Sequence, residues 1–153
     1  MIELIIPGRG VIQLEYLVSD VNGTIALDGQ LIEGVAKSLV RLSDRLELHL
    51  LTAFGQSIID QQLGLEAVRI SPEDEAEAKA AYVRELDAER VVAFGKGTND
   101  AGMLQEVAVG VCVLSQESSA VDALMAADLV APDIHAALEL LEHPMRLVAS
   151  LRR

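Results

Sequence analysis

Three apolar segments run straight into polar residues of the kind that bind or react. "EYLVS" leads to Asp20 in "DVNGT", "LELHLL" leads to Thr52, and "RVVAF" leads to Gly95, Lys96, Gly97, Thr98, Asn99 and Asp100. If these segments are strands of one open α/β sheet, their carboxyl ends share a rim where loops and helix N-termini meet. That rim carries a carboxylate, a hydroxyl and a glycine-rich turn that opens a helix. An anion held there needs local donors or a metal ion. The chain has 12 basic residues against 24 acidic ones, and its net charge of −12 repels anions at long range. Each residue also has a plainer reading. Asn22-Gly23 is a two-residue hairpin signal, and Thr52, Asn99 or Asp100 could cap a helix. Lys79, in "EDEAEAKAAYVREL", could be a solvated charge paired with Glu75 one helical turn earlier.

The elements that must position these residues follow from hydrophobic periodicity. "IELII" and "VIQLEYLVS" flank "PGRG", which reads as a turn between paired strands. Beyond them, helical spacing covers about 32–44, "LELHLL" reads as a strand, 55–63 as a short helix and "AVRI" as a strand. A helix at about 73–86 precedes strand "RVVAF", and a helix at 99–106 precedes strand "VAVGVCVL". The pattern continues with a helix at 118–126, strand "DLVA" and a helix at 132–142. After Pro144 the tail keeps helical spacing through Met145, Val148 and Leu151 or Arg152, packed on its own domain or on a neighbouring subunit. Short connections and nearly continuous Val/Ile/Leu strands predict a three-layer α/β fold, a parallel sheet with helices on both faces and right-handed crossovers. The 153 residues, 51% of them hydrophobic, suit one domain over 1–153.

Composition narrows the function classes. Two Phe, two Tyr and no Trp leave few stacking platforms for bases, and the acidic surface repels phosphate backbones and anionic membranes. No nucleic-acid or membrane partner is expected. No apolar run reaches the ~18 residues of a membrane span, and "MIELIIPGRG" lacks the features of a signal peptide. Cys112, the only cysteine, lies in an apolar strand pattern and fits a reducing compartment, so a cytoplasmic location is expected. His49, His135 and His143 lack metal-ligand spacing.

The Gly-Lys pair at 95–96 is not a nucleotide P-loop. That motif needs Gly where Arg90 stands and Ser or Thr where Gly97 stands. A dinucleotide fingerprint fails as well, because Asp100 occupies the place of its third small residue.

Taken together and in order, the segments resemble the haloacid dehalogenase (HAD) superfamily of aspartyl phosphotransferases. "LVSDVNGT" is similar to its first motif, an apolar strand followed by DxDGT or, in P-type ATPases, DKTGT. Thr52 in "LHLLTA" matches the second motif, Lys79 the third, and "GKGTNDAGML" matches the GDGxND fourth motif at every point but one. The likeness covers nearly the whole chain and is greatest to the small stand-alone proteins described as soluble P-type ATPase-like. It implies a HAD-like Rossmann-type fold with an N-terminal strand hairpin. Both usual cap insertion points are short here, so no cap domain is expected. The resemblance further implies that Asp20 accepts a phosphoryl group, that Gly23, Thr24, Thr52, Ala53, Lys79 and Lys96 surround it, and that Asp20, the Asn22 carbonyl, Asn99 and Asp100 hold Mg²⁺.

Two departures bear on activity. Active phosphatases carry Asp two places after the nucleophile, where it transfers protons, and Asn22 cannot do so. Lys96 replaces a carboxylate ligand of the metal, and a charged ammonium has no lone pair to offer. Lys96 then points to solvent, or puts its ammonium in the metal's place against Asp20 or a phosphate, or serves the turn structurally. Two functions are compatible with these residues. One is a slow phosphohydrolase acting on a phosphorylated substrate, either large or covered by a homo-oligomeric neighbour. The other is a non-catalytic scaffold or phospholigand-binding protein.

Overall fold

The computed structural model describes residues 1–54 and 57–153, with residues 57–59 traced by their backbone only. The expected helix at 55–63 begins at Ser57, and its first two positions lie outside the described residues. The chain opens with β1 (Ile2–Ile6) and β2 (Gly10–Leu14), an antiparallel hairpin with Ile2 opposite Leu14. Burial alternates along β1: Ile2, Leu4 and Ile6 face the core and Glu3 and Ile5 face out, the period-two pattern of a half-buried strand.

The segment "VIQLEYLVS" is not one strand, as its apolar run predicts. It divides at Glu15 because the backbone partners change there. Leu14 still pairs with β1, whereas the Glu15 N–H donates to the Arg90 carbonyl and the Glu15 carbonyl accepts from Glu47. Tyr16–Asp20 (β3) therefore enters a second sheet, and a small hairpin of β4 (Ala26–Leu27) and β5 (Gln30–Leu31) comes next.

Helix α1 (Val35–Leu42), strand β6 (Glu47–Thr52), helix α2 (Ser57–Leu63) and strand β7 (Val68–Arg69) carry the chain to one edge of the sheet. Helix α3 (Glu75–Leu86) brings it back to β8 (Val91–Gly95), on the other side of β3. Helix α4 (Ala101–Glu106), strand β9 (Val109–Val113), helix α5 (Val121–Ala126) and strand β10 (Leu129–Ala131) complete that half. Helices α6 (Ile134–Glu142) and α7 (Pro144–Leu151) end the fold. All strand pairs in the six-stranded sheet are parallel, in the order β10-β9-β8-β3-β6-β7. The connections leaving β3 and β8 thus diverge, which opens a crevice at their carboxyl ends.

Alternate residues of the central strands feed two cores. Leu17, Val92, Phe94 and Val111 pack with the hairpin, α1, α6 and α7 on one face, while Val18, Ala93 and Cys112 pack with α3, α4 and α5 on the other. The tail packs on its own chain through Leu147 and Leu151, one turn apart, with Val148 half-buried. The Arg153 N–H also donates to the Pro7 carbonyl at 2.8 Å. Met145, expected on that face, is 74% exposed. Among the described residues no helix is long and apolar enough to cross a membrane.

Candidate active site

Asp20 is the last residue of β3, and its side chain is almost fully buried. The chain turns sharply after it, with the Val21 carbonyl accepting from Thr24, Ile25 and Ala26. The Gly23 N–H donates to the Ala26 carbonyl at 2.7 Å. Gly23 and Thr24 therefore commit their backbone donors to shaping the turn, and Thr24 reaches the site through its hydroxyl, which donates to Asp20 Oδ2 at 3.2 Å. Gly23 is favoured chiefly by its backbone, and a side chain there would also have to displace the tip of Lys96. Its φ of +82° lies in the left-handed region, and a Cβ there would sit 2.5 Å from Cε of Lys96.

Lys79 is not the solvated surface charge that its acidic helix predicts. It is completely buried, and its Nζ donates to Asp20 Oδ1 and to Asp100 Oδ1, both at 2.9 Å. The pairing with Glu75 does hold, at 3.2 Å, but inside the site. One turn of α3 separates the two residues, so they share a face. Asp100 is also fully buried, and its Oδ2 accepts the Lys96 and Gly97 N–H groups at 3.0 Å each. The side chain of Asp100 therefore does not cap α4, as the capping reading expects, but bonds back to the N–H groups that open the short 3-10 turn Thr98–Asp100. Gly95 leaves room for this side chain, because a Cβ at Gly95 would lie 2.6 Å from Cγ of Asp100.

One ammonium among three carboxylates sets the local electrostatics. Burial, reinforced by the negative charge of Asp100, pushes the Asp20 carboxyl up to about 7 against the opposing pull of Lys79. Burial works against the Lys79 ammonium too, but Asp100 and Asp20 outweigh it and hold that group above the usual lysine range.

Thr52 ends β6 and is buried. Its hydroxyl donates to the Phe54 carbonyl at 2.8 Å and accepts from Asn22 Nδ2 at 3.1 Å. Ala53 lies half-buried beside it. A cleft of about 510 Å³ opens over the site, lined by Asp20, Asn22, Glu75, Lys96, Thr98 and Asn99 among others. Lys96 makes no ion pair with Asp20. Its chain crosses Gly23, and its ammonium lies 3.9 Å from Glu117. The β9–α5 loop that carries Glu117 is fastened to the Asp20 turn by Ser115, whose hydroxyl donates to the Gly23 carbonyl at 2.7 Å. Neither Glu117 nor Ser115 was expected from the sequence. The signal was available, since both lie just past the carboxyl end of β9 and the rule that gathers residues at strand ends applies there equally.

Known structures share this fold. A structure from Legionella pneumophila, described as a subfamily III A hydrolase of the HAD superfamily, superposes with a TM-score of 0.69 at 16% identity, covering 90% of this chain and 87% of that one. The chain has a HAD-superfamily fold. A second HAD-fold neighbour is the 3-deoxy-D-manno-octulosonate 8-phosphate phosphatase of Moraxella catarrhalis, in complex with magnesium, phosphate and the sugar acid. It matches with a TM-score of 0.63 at 16% identity over 91% of this chain and 87% of that one. In sequence, this HAD-fold chain is 34% identical over 79 residues to an uncharacterized protein of Methanocaldococcus jannaschii, spanning 49% of this chain and 85% of that protein, and the two belong to one family. No family model matches the chain.

The Mg²⁺ ion that HAD folds imply demands near-octahedral oxygen coordination. Both Asp100 oxygens are committed, to Lys79 and to two N–H groups, and Asp20 shares its own between Lys79 and Thr24. Lys96 stands where a third carboxylate is needed. Among the described residues no group of three His, Cys, Asp or Glu side chains is placed to hold a metal. The residues present do not fit a Mg²⁺ centre. Of the expected ligand set of Asp20, Asn22, Asn99 and Asp100, Asp20 and Asp100 are bridged here by Lys79, while Asn22 and Asn99 line the cleft.

Proposed function

We propose that this protein is a phosphohydrolase that forms an aspartyl phosphate on Asp20. The observation that carries the reading is the pairing of Asp20 and Asp100 through one buried ammonium, at 2.9 Å on each side, beneath an open cleft. A buried carboxylate fixed by a cation beneath a cleft at the carboxyl edge of the sheet is a candidate nucleophile. An Asp20 oxygen attacks phosphorus, the bond to the leaving oxygen breaks, and its electron pair departs with that oxygen. Lys79 holds the carboxylate in place, and Lys96, partly exposed in the cleft, supplies positive charge toward the phosphoryl oxygens. Thr52 orients Asn22 and offers its hydroxyl to the same group. With Asn22 unable to move protons, turnover is slow, by ~10²–10⁴ relative to a site with a proton-transferring residue there. The neighbour's sugar-acid phosphatase activity supports a phosphorylated substrate. The open cleft favours a large substrate, or a homo-oligomer in which a second copy covers the rim.

A second reading, a non-catalytic phospholigand-binding protein, is favoured by the full occupation of the Asp100 oxygens and by the placing of Lys96 beside Glu117. Phosphate release from acetyl phosphate and p-nitrophenyl phosphate, measured with Mg²⁺ and with EDTA, separates the two. The catalytic reading expects slow release that Asp20→Asn abolishes. Equal background rates in wild type and Asp20→Asn would favour the binding protein.

A further inference from the structure

An aspartyl phosphate is hydrolysed only if something accepts a proton from the attacking water, and Asn22 cannot. Resting on the phosphohydrolase reading above, we infer that Glu75 is the general base for this second half of the reaction. Among the described residues, the carboxylates lining the cleft are Asp20 and Glu75. Asp100, though close, lies beneath the cleft with every oxygen bonded. Glu75 differs from it. Its Oε1 contacts Lys79 Nζ at 3.2 Å, and its side chain keeps 20% of its surface open.

Its place on α3 explains why it stands over the reacting group. Lys79 reaches Asp20 from within the helix, and Glu75 lies one turn nearer the helix N-terminus on the same face, the direction in which helical side chains lean. Asp20 Oδ1 and Glu75 Oε1 touch the same nitrogen, at 2.9 and 3.2 Å. Asp20 and Glu75 also line one cleft, so a phosphoryl group that Asp20 carries there has Glu75 on its border. Water attacks phosphorus, the bond from phosphorus to the Asp20 oxygen breaks, and its electron pair returns to that carboxylate. The water proton passes to Glu75 and then to solvent, leaving inorganic phosphate. The i,i+4 pairing that reads as an ordinary helix ion pair in sequence thus also holds the base beside the nucleophile.

Acetyl phosphate is the probe, because acetate leaves without being protonated, so only the hydrolysis step needs proton transfer. Wild type, Glu75→Gln and Glu75→Gln/Asn22→Asp are labelled with acetyl [³²P]phosphate, freed of reagent, and monitored for loss of label. Glu75→Gln is expected to take up label as wild type does and to lose it ~10²–10⁴ times more slowly, and the added Asn22→Asp to restore the loss. Label lost from Glu75→Gln at the wild-type rate would overturn the assignment while leaving Asp20 as the nucleophile. Slow loss without rescue would overturn it too, reducing Glu75 to a structural partner of Lys79. If wild type itself takes up no label, the phosphohydrolase reading fails and this inference falls with it.

Discussion

The Lys79 ammonium sits 2.9 Å from Asp20 Oδ1 and the same distance from Asp100 Oδ1, with no exposed surface of its own. Removing one partner from a buried charge cluster costs more than the cluster contributes, because the remaining charges lose their compensation. Lys79→Met leaves two carboxylates facing each other in the core. We predict a loss of about 3–5 kcal/mol in denaturant unfolding, partly recovered in Lys79→Met/Asp20→Asn, which removes one of the stranded charges. Independent, additive effects of the two substitutions would contradict the bridge.

The raised Asp20 carboxyl gives a signed pH dependence. Between its ordinary 3.8 and about 7 the folded state keeps a proton that the unfolded chain has lost, so this group's contribution to stability falls as pH rises through that window. Asp20→Asn removes the effect. The variant should match wild type near pH 4 and exceed it by on the order of 1–4 kcal/mol at pH 8, as read from urea unfolding across pH. The nucleophile must be ionised, so labelling by acetyl phosphate should rise with pH and level off above 7. A variant less stable than wild type at pH 8 would contradict this account.

Gly23 and Lys96 form a steric pair. Gly23→Ala meets the Lys96 side chain at 2.5 Å and adopts a positive φ. The backbone part alone costs about 1–2 kcal/mol. Lys96→Ala should relieve the contact but not the backbone strain, so a double-mutant cycle gives a positive coupling while both Gly23→Ala proteins stay destabilised. Zero coupling would place Lys96 elsewhere.

The misfit to Mg²⁺ is reversible by design. Asn22→Asp/Lys96→Asp restores two carboxylates at the cleft where the structure has an amide and an ammonium. The double variant should bind Mg²⁺ by calorimetry and show Mg²⁺-stimulated phosphate release, with wild type showing neither. Equal Mg²⁺ stimulation of wild type would show that Asp20 alone suffices.

Much of the fold was legible because its strands are short apolar runs and its helices carry clear periodicity, from β1 to α6. The break at Glu15 was not, since a change of hydrogen-bond partner leaves no mark on the apolar pattern. In the site, Asp20, Thr52 and Asp100 were legible from their places past the carboxyl ends of apolar strands, and Lys79 from motif likeness. The structure brings Asp20, Lys79 and Asp100 into contact and ties Thr52 to Asn22 of the Asp20 turn. The burial of Lys79 was hidden because an acidic, alanine-rich helix looks solvated whichever face it buries. The direction of Lys96 was equally hidden, because it depends on Gly23 leaving space and on Glu117 in a loop from β9. Such contacts are set by packing between distant segments, which local spacing does not encode.

The central claim is tested most directly by acid-quenching the protein after exposure to acetyl phosphate and mapping the modified residue by mass spectrometry, with hydroxylamine lability as the mark of an acyl phosphate. The account predicts a single hydroxylamine-labile phosphoryl group on Asp20, formed with EDTA present and absent in Asp20→Asn. Label on another residue, or a phosphoryl group that persists in Asp20→Asn, would contradict it.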